Sequence, residues 1–242
     1  MSELILLKTK GGLGNQLFQI AAAMACQKVL GGNIYVSTSD NKHSARDYIK
    51  LFSNLQTIYN DIQTDFDYNQ SDGFEKWNPE SFSLYKTLSL DGYFQYLPAI
   101  ESVIDNMSHL IHDYTEFNDY AFLHVRRGDY LCFSHIHHIL PQSYYETALK
   151  GFNSNILIIS DDIAWCKQQP LLHNYRMLEE DDELKTLSIM ASCKKGAIIA
   201  NSTFSWWGAI LGKSEKVYYP SLWFSNIRPN MFPNSWKCID VI

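Results

Sequence analysis

The chain is short of charge, and of positive charge in particular. Only 19% of its 242 residues are Asp, Glu, Lys or Arg, and 20 basic side chains against 26 acidic ones leave a formal net charge of −6. A generic nucleic-acid clamp needs surplus cations to neutralise phosphates, so that class is excluded and no nucleic-acid partner is expected. Disorder is excluded as well, because 46% hydrophobic and 14% aromatic residues supply ample material for a packed core. At about 100 to 200 residues per domain, the length suits one large domain or two small ones.

Long apolar runs are also missing. Nowhere do about 18 apolar residues follow one another, so no membrane span is expected, and peripheral contact is the one membrane association left open. The opening MSELILLK is apolar only from Leu4 to Leu7, short of the roughly 7 to 15 residues of a secretory h-region, so no export signal is expected. The five cysteines (Cys26, Cys132, Cys166, Cys193 and Cys238) are scattered, odd in number and without CxxC spacing. That argues against a disulfide framework and against structural zinc; reduced thiols and a cytoplasmic location are the expectation. Internal repeats and low-complexity tracts are not evident.

What the sequence does contain is a series of strand-sized apolar runs: Leu4 to Leu7, Asn33 to Ser37, Ala121 to Val125, Ile156 to Ile159, Ala197 to Ala200 and Lys216 to Tyr219. Between several of them lie segments with helical spacing, such as Leu17, Ile20, Ala21 and Met24, or Leu184, Leu187, Met190 and Ala191. Strands alternating with amphipathic helices predict parallel βαβ units, hence an α/β fold with sites at the carboxyl ends of strands. The acidic, aromatic stretch Thr64 to Ser83 shows no clear period and reads as a surface excursion. The polar segment His112 to Asp119 is the best boundary between two α/β series.

Four segments combine strand ends with chemistry. Gly11-Gly12-Leu13-Gly14-Asn15-Gln16 follows the first run and leads into the helix of Leu17 to Leu30, where glycines let backbone approach a ligand and the helix start favours an anion; it also reads as a plain tight turn. His124-Val125-Arg126-Arg127-Gly128-Asp129 ends another run. One arginine there faces a crevice while the other braces carboxylates, and a guanidinium fork suits a diphosphate; the alternative is a structural ion pair with Asp129. Asp161 and Asp162, after Ser160, fit a ribose or guanine through accepted hydrogen bonds, or cap the helix that carries Trp165. Asn201-Ser202-Thr203-Phe204-Ser205-Trp206-Trp207-Gly208 places hydroxyl and N–H donors at a helix start, with the tryptophans read as core. The acidic run Glu179 to Glu183 reads as a solvated helix start rather than a metal site.

In order along the chain, GGLGNQLFQIAAAMA (11–25), DGYFQ (91–95), HVRRGDY (124–130), SDDIAWCK (160–167) and IIANSTFSWWGAIL (198–211) resemble the α-1,2-fucosyltransferases of glycosyltransferase family 11. The ordered set spans nearly the whole chain. The resemblance implies a GT-B fold of two Rossmann-like domains facing a cleft: residues 1–118 on the acceptor side, reduced in length against the family pattern, and 119–242 holding the nucleotide sugar. It implies inverting, metal-independent transfer of L-fucose from GDP-β-L-fucose to the 2-hydroxyl of a galactose-terminated glycan, with no cofactor beyond the donor. Its implied catalytic residues are Arg126, Asp129 and His124. Its implied donor contacts are Gly14, Asn15, Gln16, Arg126, Arg127, Asp161, Asp162, Asn201, Ser202, Thr203 and Phe204. Two rival classes stay open, a transferase for another GDP-sugar or linkage and a nucleotide-binding module without turnover. For the group accepting the acceptor's proton, Asp129, the histidines His135, His137 and His138, and no dedicated base all remain open.

Overall fold

The computed structural model describes residues 3–37, 48–53, 55–58, 62–214, 216–224, 227, 229 and 231–241, and the chain divides into two units, Met1–Met107 and Ser108–Ile242. In the first, β1 (Leu4–Lys8) leads through α1 (Leu13–Leu30) to β2 (Asn33–Ser37), followed by β3 (Leu55–Ile58), β4 (Phe66–Asn69), β5 (Thr87–Asp91) and the short α2 (Leu97–Ile100). The sheet is parallel throughout, in the order β3-β2-β1-β5-β4. Ile5 and Leu7 of β1 and Leu88 and Leu90 of β5 are fully buried, as expected for central parallel strands. Chain order runs outward from β1 to β3 on one side and resumes on the other with β4 at the edge and then β5 beside β1, so the topological switch lies between β1 and β5. Ligand crevices of open parallel sheets form at the carboxyl ends flanking such a switch.

Two expectations need correction in this unit. The segment Thr64 to Ser83 is not wholly an excursion, since β4 lies within it as an edge strand. Its apolar residues alternate with Asp67 and Asn69, and Phe66 stacks on Tyr85 while Tyr68 meets Phe82 and Phe94. Helix α1 begins one turn earlier than the periodicity suggests, so Gly14, Asn15 and Gln16 lie in its first turn.

The second unit contains β6 (Tyr120–Val125), α3 (Gly128–Cys132), α4 (Gln142–Leu149), β7 (Asn155–Ser160), α5 (Ile163–Gln168), β8 (Arg176–Met177), α6 (Glu183–Ser192), β9 (Gly196–Ile198), α7 (Thr203–Leu211), β10 (Val217–Pro220) and β11 (Lys237–Ile239). Its strands are again all parallel, ordered β11-β10-β9-β6-β7-β8. The switch lies between β6 and β9. The segment entering this unit is tied to α6, because the N–H groups of His112 and Tyr114 donate to the hydroxyls of Ser188 and Ser192. The acidic run supplies the α6 cap: Asp182 accepts from the N–H of Lys185, and Glu180 pairs with the Lys185 ammonium at 2.6 Å. Trp206 and Trp207 are fully buried and pack edge to face in the core. Among the described residues no helix is long and apolar enough to cross a membrane.

Candidate active site

The motif at the end of β6 builds an ion-pair lattice around two arginines that point apart. Arg126 Nη2 donates to Asp129 at 2.7 Å, its Nη1 lies 3.0 Å from Asp161, and its guanidinium covers the Tyr130 ring at 5.3 Å. Arg127 turns the other way, stacking on Trp165 at 3.8 Å and approaching Asp162 at 3.4 Å. The structural ion pair left open for this segment is present, with Arg126 on Asp129, and Arg127 braces Asp162. Asp161 also accepts from the backbone N–H of Arg127. Gly128 permits that closeness, because a Cβ there would fall 2.6 Å from the Asp161 carboxylate.

The two aspartates share two duties. Asp162 caps α5 by accepting from Trp165 N–H, with its other oxygen toward Arg127, and Ser160 Oγ accepts from the Asp162 N–H. All four carboxylate oxygens of Asp161 and Asp162 thus have a protein partner, although each oxygen keeps a second lone pair for a ligand. Summed over Arg126, Arg127, Asp129, Asp161 and Asp162 the lattice is net negative.

Across the switch, the end of β9 runs into α7. Asn201 is buried and donates to the carbonyls of His138 and Trp223, while its own carbonyl accepts from the Tyr130 hydroxyl. Ser202 is the α7 N-cap, yet its side chain makes no capping hydrogen bond, which leaves its hydroxyl available for a ligand. Thr203 and Phe204 form the first turn and are partly exposed. The structure thus brings Arg126, Ser202, Thr203 and Phe204 to the two strand ends that flank the switch. Asn201 and Arg127 act as supports beside them.

His124 is buried, with its ring steeply inclined to that of Phe204 and its Nδ1 unpartnered. Burial, and then the nearby Arg126 charge, push its pKa down to about 3. At neutral pH it can hydrogen-bond but not take up a proton. Because the folded value is depressed below the ordinary one near 6.5, His124 costs no stability above that pH. It destabilises increasingly as pH falls from there toward about 3, by about 1.4 kcal/mol per unit. His124→Gln should therefore flatten the acid limb of a stability-against-pH curve relative to the parent chain; parallel limbs would contradict this.

Of the other histidines, His137 stacks on Tyr130 at 3.9 Å, and burial holds its pKa below the ordinary value. His135 is exposed. Asp129 remains largely exposed and engaged with Arg126. Sequence reasoning missed Tyr130 and Trp165, which seat the two arginines, although both stand inside the quoted motifs. For Tyr130 the signal was an aromatic face close in sequence to the Arg126 cation; Trp165 lies too far from Arg127 in sequence to give one.

In the first unit, the turn after β1 is tightly clamped. Gly11 adopts φ +79°, and a Cβ there would meet Asn15 Nδ2 at 2.6 Å. Gln16 is buried and donates to the Gly11 carbonyl, while Gln19 both donates to the Lys10 carbonyl and accepts from its N–H. Gln16 therefore holds the turn. Asn15, partly exposed, accepts from Gln95 Nε2 at 3.1 Å, and Gly14 is buried in the helix start.

Two parallel α/β units, each with polar groups gathered at its switch, are the architecture of the GT-B type. The chain belongs to glycosyltransferase family 11, whose family model matches residues 3–226. It is 27% identical to the O-antigen biosynthesis glycosyltransferase WbnK of Escherichia coli, over 93% of this chain and 97% of that protein. It is 31% identical to an α-1,2-colitosyltransferase of E. coli over 49% of this chain and 47% of that one. Among solved structures, the fucosyltransferase NodZ from Bradyrhizobium shares the fold with a TM-score of 0.53 at 12% identity, covering 87% of this chain and 92% of its own.

Proposed function

We propose that the protein transfers L-fucose from GDP-β-L-fucose to the 2-hydroxyl of a galactoside, with inversion, giving an α-1,2 linkage and GDP. The observation that carries this reading is the Arg126 fork at the end of β6, across the switch from the uncapped Ser202 hydroxyl at the start of α7. In it, Arg126 neutralises the charge that grows on the departing β-phosphate, and Ser202, Thr203 and Phe204 offer hydroxyl and backbone donors to the phosphates. Arg127, Asp161 and Asp162 keep that fork aimed, and guanosine contacts fall to the remaining lone pairs of Asp162.

The test is GDP release from GDP-fucose with and without a galactoside, followed by linkage analysis of the product. Acceptor-dependent release with fucose on O2 supports the assignment; no acceptor dependence, or fucose at another position, overturns it. Because a fixed guanidinium takes the charge role that a divalent ion fills in other transferases, neither a metal nor another cofactor is required. Transfer should survive EDTA, and a loss reversed by manganese or magnesium would contradict the mechanism. The likeness to a colitosyltransferase favours one second reading, a different deoxysugar on the same kind of donor. Competing GDP-sugars in the same assay separate the two.

A further inference from the structure

The loop leaving β5 at the switch of the first sheet, Asp91 to Gln95, is held by contacts remote in sequence. Gln70 Oε1 accepts from the N–H groups of Tyr93 and Phe94 at 3.1 and 2.7 Å, and Gln95 N–H donates to the Gly73 carbonyl at 2.7 Å. Phe94 is a fully buried phenylalanine at φ 55°, packed edge to face on Trp77. A non-glycine residue in that region is strained, and such strain persists where the surroundings impose it, most often at functional sites. Here it delivers Gln95, only 5% exposed, to the first turn of α1, where its Nε2 donates to Asn15. Its Oε1 is buried and has no partner. Across the switch, Thr9 directly after β1 also carries a buried, unpartnered hydroxyl.

Buried acceptors without donors are rare and call for a partner that the protein itself does not supply, a water or a ligand. The nearby cations do not suggest a phosphate, since Lys8 and Lys10 both turn to Asp91, at 3.8 and 2.8 Å. A neutral amide oxygen suits the hydroxyl of an uncharged sugar. We propose that Gln95 is an acceptor-binding residue, its Oε1 receiving a hydroxyl hydrogen of the acceptor saccharide and its Nε2 locking Asn15 in place. This rests on the transferase reading above.

The experiment compares Gln95→Met, similar in shape but without the oxygen, with Gln95→Glu, which keeps it. At saturating GDP-fucose, Gln95→Met is expected to lower kcat/KM for the galactoside about tenfold or more, with GDP affinity and acceptor-free GDP release unchanged. Gln95→Glu should recover most of that loss at a pH that protonates its buried carboxyl, whose O–H then donates to Asn15 in place of Nε2. Saturation-transfer NMR with a methyl galactoside and GDP reads the same site without turnover, and binding should be lost in the Met variant and kept in the Glu variant. Equal losses in both variants, an unaffected Met variant, or a matching fall in acceptor-free release would each overturn the proposal. Parent enzyme that binds the galactoside but releases no GDP from GDP-fucose would instead count against the donor assignment alone.

Discussion

Arg126→Lys is expected to transfer sugar about a hundred to a thousand times more slowly than the parent, the usual loss when one preorganised electrostatic contact of a transition state is removed. The geometry explains why so similar a residue fails. The guanidinium uses two nitrogens at once, toward Asp129 and Asp161, with its flat face on Tyr130. A lysine ammonium is a point charge that can follow one carboxylate but cannot hold a planar fork toward a diphosphate. The fold should hardly notice. Partly exposed pairs of this kind contribute about 0 to 1 kcal/mol, which for a chain of this size moves Tm by at most about 4 °C. Arg127 is the contrasting case, because its stack on Trp165 and its approach to Asp162 are less exposed; Arg127→Ala should lower Tm as well as activity. Transfer by Arg126→Lys within about tenfold of the parent, at normal GDP affinity, would remove Arg126 from its assigned role.

The strands that the sequence announces, β1, β2, β6, β7, β9 and β10, are short apolar runs, and all but β2, which buries only Ile34 and Val36, are buried on both faces. Those left unread have another chemistry. β4 alternates aromatics with Asp67 and Asn69 at a sheet edge, β5 carries a buried Ser89 among its leucines, and β8 is two residues long. The site shows the same division. Arg126, Asp161 and Ser202 were legible because each follows a strand end, and α/β sheets place ligands there. Their partners were not, since Arg127 meets Asp162 from 35 residues away and Gln70 meets Phe94 from 24. Nor does local sequence reveal that Gln16 would fold back on Gly11, or that Phe94 would be forced to positive φ.

Asp161→Asn should separate two roles that the sequence alone leaves merged. Asparagine keeps one oxygen, enough to accept from the Arg127 N–H, but sets an amide NH2 against Arg126 Nη1, where the carboxylate now stands at 3.0 Å. Donor then faces donor, and Arg126 is left to Asp129 alone. A hydrogen bond to a charged group is worth about 1.5 to 3 kcal/mol, so turnover should fall roughly ten- to a hundredfold. GDP affinity follows a different balance. Removing the carboxylate loosens the arginine, yet it also removes a negative charge that repels the diphosphate, and the two effects act in opposite directions on ground-state binding. Affinity is therefore expected to stay within about threefold while turnover drops, the mark of an interaction that matters chiefly in the transition state. Both Asp161 oxygens already serve the arginines, so the preference for GDP over IDP, which lacks the exocyclic amino group, should be the same in variant and parent. If that preference disappears in Asp161→Asn, the carboxylate reads guanine directly and the arginine-holding role assigned to it is wrong.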